Sequence, residues 1–163
     1  MLRTTSAFLA CILAIGSFAQ DETLWLREPA ISPDGSTIAF CYQGDIWRVP
    51  VGGGNAVPLT TNEAYDHTPV WSHDGTRIAF TSTRYGSNDV FVMSANGGMP
   101  IRLTYHGNGE VASDFNADDS QVIFYANRQD DAKNQLFPVG GLGELYTVPS
   151  KGGRPMQLST MAM

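Results

Sequence analysis

Apolar residues along this chain come in short runs that alternate large and small side chains. In Ile38-Ala39-Phe40-Cys41, the Ile and Phe point to one face of a strand and the Ala and Cys to the other; Ile78 and Phe80 oppose Ala79 in the same manner. A sheet with one wet face alternates apolar with polar positions. Strands that are apolar on both faces therefore predict sheets sandwiched between neighbours. No run past residue 20 approaches the roughly 20 apolar residues that a membrane-spanning helix needs.

These runs belong to a repeat. Pro29-Ala-Ile-Ser-Pro-Asp-Gly-Ser-Thr-Ile-Ala-Phe40, Pro69-Val-Trp-Ser-His-Asp-Gly-Thr-Arg-Ile-Ala-Phe80 and Ser113-Asp-Phe-Asn-Ala-Asp-Asp-Ser-Gln-Val-Ile-Phe124 align residue for residue. An acidic residue then opens a second β-rich run at Asp45, Asp89 and Glu144. Double glycines follow at Gly53-Gly54, Gly97-Gly98 and Gly152-Gly153, and each unit ends in Leu59-Thr60, Leu103-Thr104 or Leu158-Ser159. Asp34, Asp74 and Asp118 set a period of 40 to 44 residues. Units of that length with about four short strands predict propeller blades, placed at about 28–61, 68–105 and 112–160. The expected fold is all-β, an open β-propeller of three four-stranded blades, because complete propellers have about four to eight.

The turn residues explain why the repeat recurs. Asp34-Gly35 and Asp74-Gly75 place a carboxylate beside a glycine able to take the left-handed conformation that closes a short hairpin. His73 replaces the proline of the first unit. The third unit has Asp118-Asp119, with a carboxylate where glycine is expected, so this turn is predicted to be the least regular. The third unit also carries an insertion, 127–141, of the kind that gives propellers a variable surface. Arg128, Asp130, Asn134 and Phe137 within it are candidate contacts for a substrate or partner, beside the alternative of a solvated loop with no role.

Composition narrows the function classes. The formal net charge is −6 with no basic run, which argues against nucleic acid and anionic membrane surfaces as partners. Arg3, the apolar run Ala7 to Ile15 and the small-x-small site Ser17-Phe18-Ala19 predict a signal peptide over 1–19 and a mature chain from Gln20. A lipid-attachment role for Cys11 is the competing reading. The expected location is periplasmic or secreted, with no membrane association after cleavage. Cleavage leaves Cys41 as a lone thiol among Ala39, Phe40 and Tyr42, where a buried hydrophobe is expected.

Catalytic signatures do not emerge. There is no Gly-x-Ser-x-Gly elbow, no His-Glu-x-x-His, no Cys-x-x-Cys and no phosphate loop, so no catalytic residue, metal or cofactor is assigned. Gly107 to Ala112 fits a dinucleotide fingerprint formally but has no helix to follow. Asp114, Asn116 and Asp118 have calcium-loop spacing, against which a degenerate blade turn is the simpler reading. His67 and His106 lie on blade-connecting loops, where they could approach Asp66 or Glu110 or be ordinary surface histidines. Asp45, Asp89 and Glu144 recur at one blade position, which suggests either a structural carboxylate accepting N–H bonds or a ring lining the channel.

With these motifs in hand, Pro69 to Phe80 resembles the blade motif of TolB and of tricorn-type proteases. Leu24-Trp25-Leu26-Arg27, Gly44-Asp45-Ile46-Trp47, Arg84-Tyr85-Gly86, Asn127-Arg128-Gln129-Asp130 and 134–138 are similar to bacterial secreted tricorn homologues. The resemblance implies the non-catalytic front end of an exported serine peptidase, gating or binding peptide, with the protease module downstream. No position here matches that module. The implied partners are a peptide or protein and the parent chain's remaining blades and protease module, or a second copy of this chain. A TolB-like interaction module and the propeller of a prolyl-oligopeptidase-type enzyme are the rival readings.

Overall fold

A computed structural model describes residues 25–128 and 143–158. It contains twelve strands: β1 (Arg27–Ile31), β2 (Thr37–Tyr42), β3 (Asp45–Pro50), β4 (Val57–Pro58), β5 (Asp66–Trp71), β6 (Arg77–Ser82), β7 (Asp89–Ser94), β8 (Ile101–Arg102), β9 (Glu110–Phe115), β10 (Gln121–Ala126), β11 (Glu144–Pro149) and β12 (Met156–Gln157). They form three antiparallel four-stranded sheets in sequence order, β1–β4, β5–β8 and β9–β12. The first strands of adjacent sheets, β1, β5 and β9, lie against each other and so mark the axis side of an open propeller.

Strand register turns the large–small alternation into a stacking rule. Phe80 pairs with Phe91 and Ile78 with Met93 on one face of the second blade, while Ala79 pairs with Val92 and Thr81 with Val90 on the other. The first set packs with Ala39, Ile46 and Leu59 of the first blade. The second set meets Phe115, Val122, Phe124, Tyr146 and Val148 of the third. Each blade thus lays its bulky face on the smaller-residue face of the blade before it.

The recurrent Leu-Thr endings are explained by the third and fourth strands. The Leu59 amide donates to the Ile46 carbonyl and the Leu103 amide to Val90, while Thr60 and Thr104 hydroxyls accept from the Ile46 and Val90 amides. Both leucines are buried, which fixes the outer strand to the blade.

The three Asp turns close alike. Gly35 and Gly75 donate to Ser32 and Ser72 carbonyls at 2.8 and 2.9 Å, at φ of 71° and 69°. Asp119 donates to Asn116 at 2.9 Å with φ 58°, so the expectation of an irregular third turn is corrected. Its left-handed backbone is held by bonds that a glycine lacks, formed by its carboxylate with the second blade.

Candidate functional site

The polar interior of the molecule is built from one repeated cluster. Asp66 opens β5, and the Arg84 guanidinium, just beyond β6, donates to it at 2.6 Å. Glu110 opens β9, and Arg128, just beyond β10, meets it through Nε at 2.8 Å and through Nη2. Both carboxylates are wholly buried. Each guanidinium also lies over a parallel aromatic pair: Arg84 over Phe80 and Phe91, Arg128 over Phe124 and Tyr146. The strand pairing explains the placement, because Asp66 is opposite Ser82 and Glu110 opposite Ala126 at the ends of β6 and β10. In the first blade the acid and arginine positions hold Leu26 and Gly44, although the aromatic pair persists as Phe40 opposite Trp47.

This geometry relocates Arg128. Expected on a partner-facing surface, it is instead turned inward, its side chain 11% exposed and committed to Glu110. A charge that is already paired and stacked has little to offer an incoming ligand. Asp130, Asn134 and Phe137 lie outside the described residues. Sequence reading named Asp66 and Glu110 only as neighbours for histidines and Arg84 only within a resembling motif, without pairing them, yet a signal existed: an acid eight residues before the turn aspartate and an arginine ten after it, in two of three units.

The acids that open the third strands are structural and lie away from the axis. Asp45 accepts from the Thr60 hydroxyl at 3.1 Å, and burial pushes its carboxyl up from the usual range. Asp89 is wholly buried and forms an ion pair with Arg102, whose Nη2 stands 2.9 Å from Oδ2. Burial raises its pKa, and the Arg102 charge opposes that rise. Glu144 accepts from the Tyr146 hydroxyl at 2.8 Å. Because β3, β7 and β11 are third strands and β1, β5 and β9 line the axis, the expectation of a channel ring from these three acids is corrected.

The opposite end of the blades carries the Asp turns. Asp34 accepts from Ser32 Oγ at 2.6 Å and from the Ser36 amide, and Asp74 accepts from Ser72 Oγ at 2.6 Å and the Thr76 amide. These bonds lower both carboxyls to about 2. Bonds from the Ser120 side chain and then its amide lower Asp118 in the same way. This explains the spacing once compatible with a calcium loop: Asp118 is committed to its own turn, and Asn116 Oδ1 accepts from the Gln121 amide. Between the first two turns lies a cleft of about 650 Å³, bordered by Asp34, Arg48, Trp71, His73 and Asp74.

His67 sits on the axis side. Its Nδ1 is 2.8 Å from Thr68 Oγ1 and 4.0 Å from Glu28 Oε2, and the Thr68 amide donates to that same Glu28 oxygen. A nucleophile–base–carboxylate relay needs the two ring nitrogens to face different partners. Here hydroxyl and carboxylate both approach Nδ1, while Nε2 stands 3.5 Å from Asn88 Oδ1, so the arrangement fastens two inner strands. The His106 carbonyl accepts from Ser87 Oγ, and its Nδ1 accepts from the Asn108 amide; Gly107 to Ala112 is a loop running into β9. Among the described residues no group of three or more His, Cys, Asp or Glu side chains is placed to hold a metal ion. No helix of the described residues is long and apolar enough to cross a membrane.

Comparison with known proteins agrees with the blade reading. The family described as tricorn protease N-terminal beta propeller domain matches residues 23–162. Tricorn protease homolog 1 of Streptomyces coelicolor is 39% identical over 83 residues, which cover 51% of this chain and 8% of that protein. The chain therefore spans a small part of that relative's length. Among solved structures, TolB from Acinetobacter baumannii is similar at a TM-score of 0.62 and 19% identity, over 84% of this chain and 33% of TolB. The tricorn protease is similar at 0.57 and 14%, over 76% of this chain and 13% of its own. At these identities the two structures speak to fold alone.

Proposed function

This chain belongs to the tricorn protease N-terminal β-propeller family, and from that premise we propose that it is the non-catalytic propeller segment of an exported serine peptidase, gating or binding peptide substrate. The observation that carries the reading is the family match across residues 23–162, nearly all of the chain. The side chains support it: the buried acids and arginines are spent on holding strands together within their own blades, as a scaffold requires. Export rests on the signal-like segment 1–19, whose cleavage would leave Gln20 at the mature N-terminus. The two open sheet ends are expected to be covered by the parent chain's further blades and its protease module.

The test compares the parent peptidase with a version lacking residues 20–163, on short and long peptides. The expected result is that the isolated segment cleaves nothing, while its deletion from the parent alters selection by peptide length. A reading frame that ends in blades, with no protease module after them, overturns the proposal in favour of a TolB-like binding module.

A further inference from the structure

The junction between the second and third blades is fastened at the turn end by a contact that the first junction lacks. Asp119 Oδ1 accepts from the His73 amide at 2.8 Å and lies 2.9 Å from His73 Nδ1, while Oδ2 accepts from the Asp74 amide at 2.9 Å. Arg77 adds a bond from Nη2 to the Asp119 carbonyl and another from Nη1 to Ser150 Oγ. At the first junction the corresponding residues are Pro33, which has no amide hydrogen, and Gly75, which has no carboxylate. There the Pro33 ring packs beside Gly75, its Cδ 3.8 Å from where a Cβ would stand, and the 650 Å³ cleft runs alongside the two turns. Two departures from the repeat, His for Pro in the second unit and Asp for Gly in the third, thus face each other across one seam.

We propose that His73 and Asp119 form a proton-tightened latch between the second and third blades, firmer on the acid side of neutrality and slacker above it. The groups around the imidazole favour its protonated form. Asp119 touches it, and Asp114 lies near it on β9. On its own turn stand Asp74 and Arg77, and across the cleft Asp34 and Arg48. Four carboxylates and two guanidiniums leave a negative surround. The hydrogen bond to Asp119 is the main cause that raises the His73 pKa above its ordinary 6.5; burial opposes it, and the charges of Asp119 and Asp114 add to the rise. A folded-state pKa raised in this way contributes stability that is fully present below about 6.5 and lost as pH rises through the folded value. The two backbone amides still bind Asp119 when the ring is neutral, so the latch loosens without opening.

The test is hydrogen exchange at the His73 and Asp74 amides in the full chain between pH 5.5 and 8.5, corrected for intrinsic rates. Alongside it, NMR titration of the His73 ring gives its pKa directly. The wild-type chain is expected to protect both amides more strongly at acid pH. His73→Gln is expected to keep the protection but lose its pH dependence. Asp119→Gly, which suits the left-handed turn, is expected to lose the protection while remaining folded. Should Asp119→Gly fail to fold, the His73→Gln comparison decides alone. Equal pH dependence in wild type and His73→Gln, or a His73 ring titrating at or below about 6.5, overturns the proposal.

Discussion

Arg84 reaches Asp66 at 2.6 Å, and the carboxylate it meets has no exposure to solvent. Water therefore cannot take over if the guanidinium is removed. Arg84→Ala is expected to cost about 3–5 kcal/mol, the usual penalty for stranding a buried charge. Replacing both residues, Asp66→Leu with Arg84→Met, is expected to cost less than the single change. Urea unfolding of the two variants beside the wild-type chain checks the order.

Arg128 gives the sharper contrast with surface expectations. An arginine serving only a partner changes binding when truncated and leaves unfolding alone. Arg128→Ala is expected to destabilise the chain by about 3–5 kcal/mol, because Glu110 is wholly buried behind it. The midpoint of chemical denaturation is the measurement. An unchanged midpoint would return Arg128 to the surface role.

The Thr104 hydroxyl accepts from the buried Val90 amide at 2.8 Å. Thr104→Val keeps the shape and leaves that amide without a partner, at a cost of about 1–3 kcal/mol. Faster hydrogen exchange at Val90, together with a lower midpoint, is the expected signature.

At the acid extreme the turn aspartates dominate. Asp34 and Asp74 have carboxyls lowered to about 2 from an ordinary 3.8 by bonds from serine hydroxyls and turn amides. Depressed folded-state values stabilise above the unfolded pKa and are lost as pH falls through the folded one. Thermal stability is thus expected to decline between about pH 4 and 2, with a shallower decline in Asp34→Asn. A pH scan of melting midpoints with both proteins tests this.

Gly143 leads into β11 against the Tyr125 ring, where an added Cβ would stand 2.6 Å from Cδ2. Gly143→Ala is expected to cost about 1–3 kcal/mol by overpacking. Adding Tyr125→Ala should relieve the clash, so the two changes should be non-additive in a double-mutant cycle.

Much of the fold was readable because its information is local. Ile78-Ala79-Phe80 states which face is bulky, Ser72 to Gly75 closes its own hairpin, and Leu103-Thr104 seals the outer strand with bonds to one residue, Val90. The clusters were harder, since Asp66 opens β5 and Arg84 lies just past β6, and the two touch only once β5 and β6 pair. The seam contact was hardest of all. His73 and Asp119 lie in different blades, and each alone looked like a blemish in the repeat rather than half of a contact.

The bulky-on-small order of the blades also has a consequence in time. A ribosome releases the first blade before the second, so every new sheet meets an already formed neighbour whose small-residue face is waiting for its Phe-rich side. Assembly along such a stack is nearest-neighbour, as in other one-dimensional arrays, and the order of synthesis gives it a direction. Errors in one blade would then halt what comes after it and spare what came before.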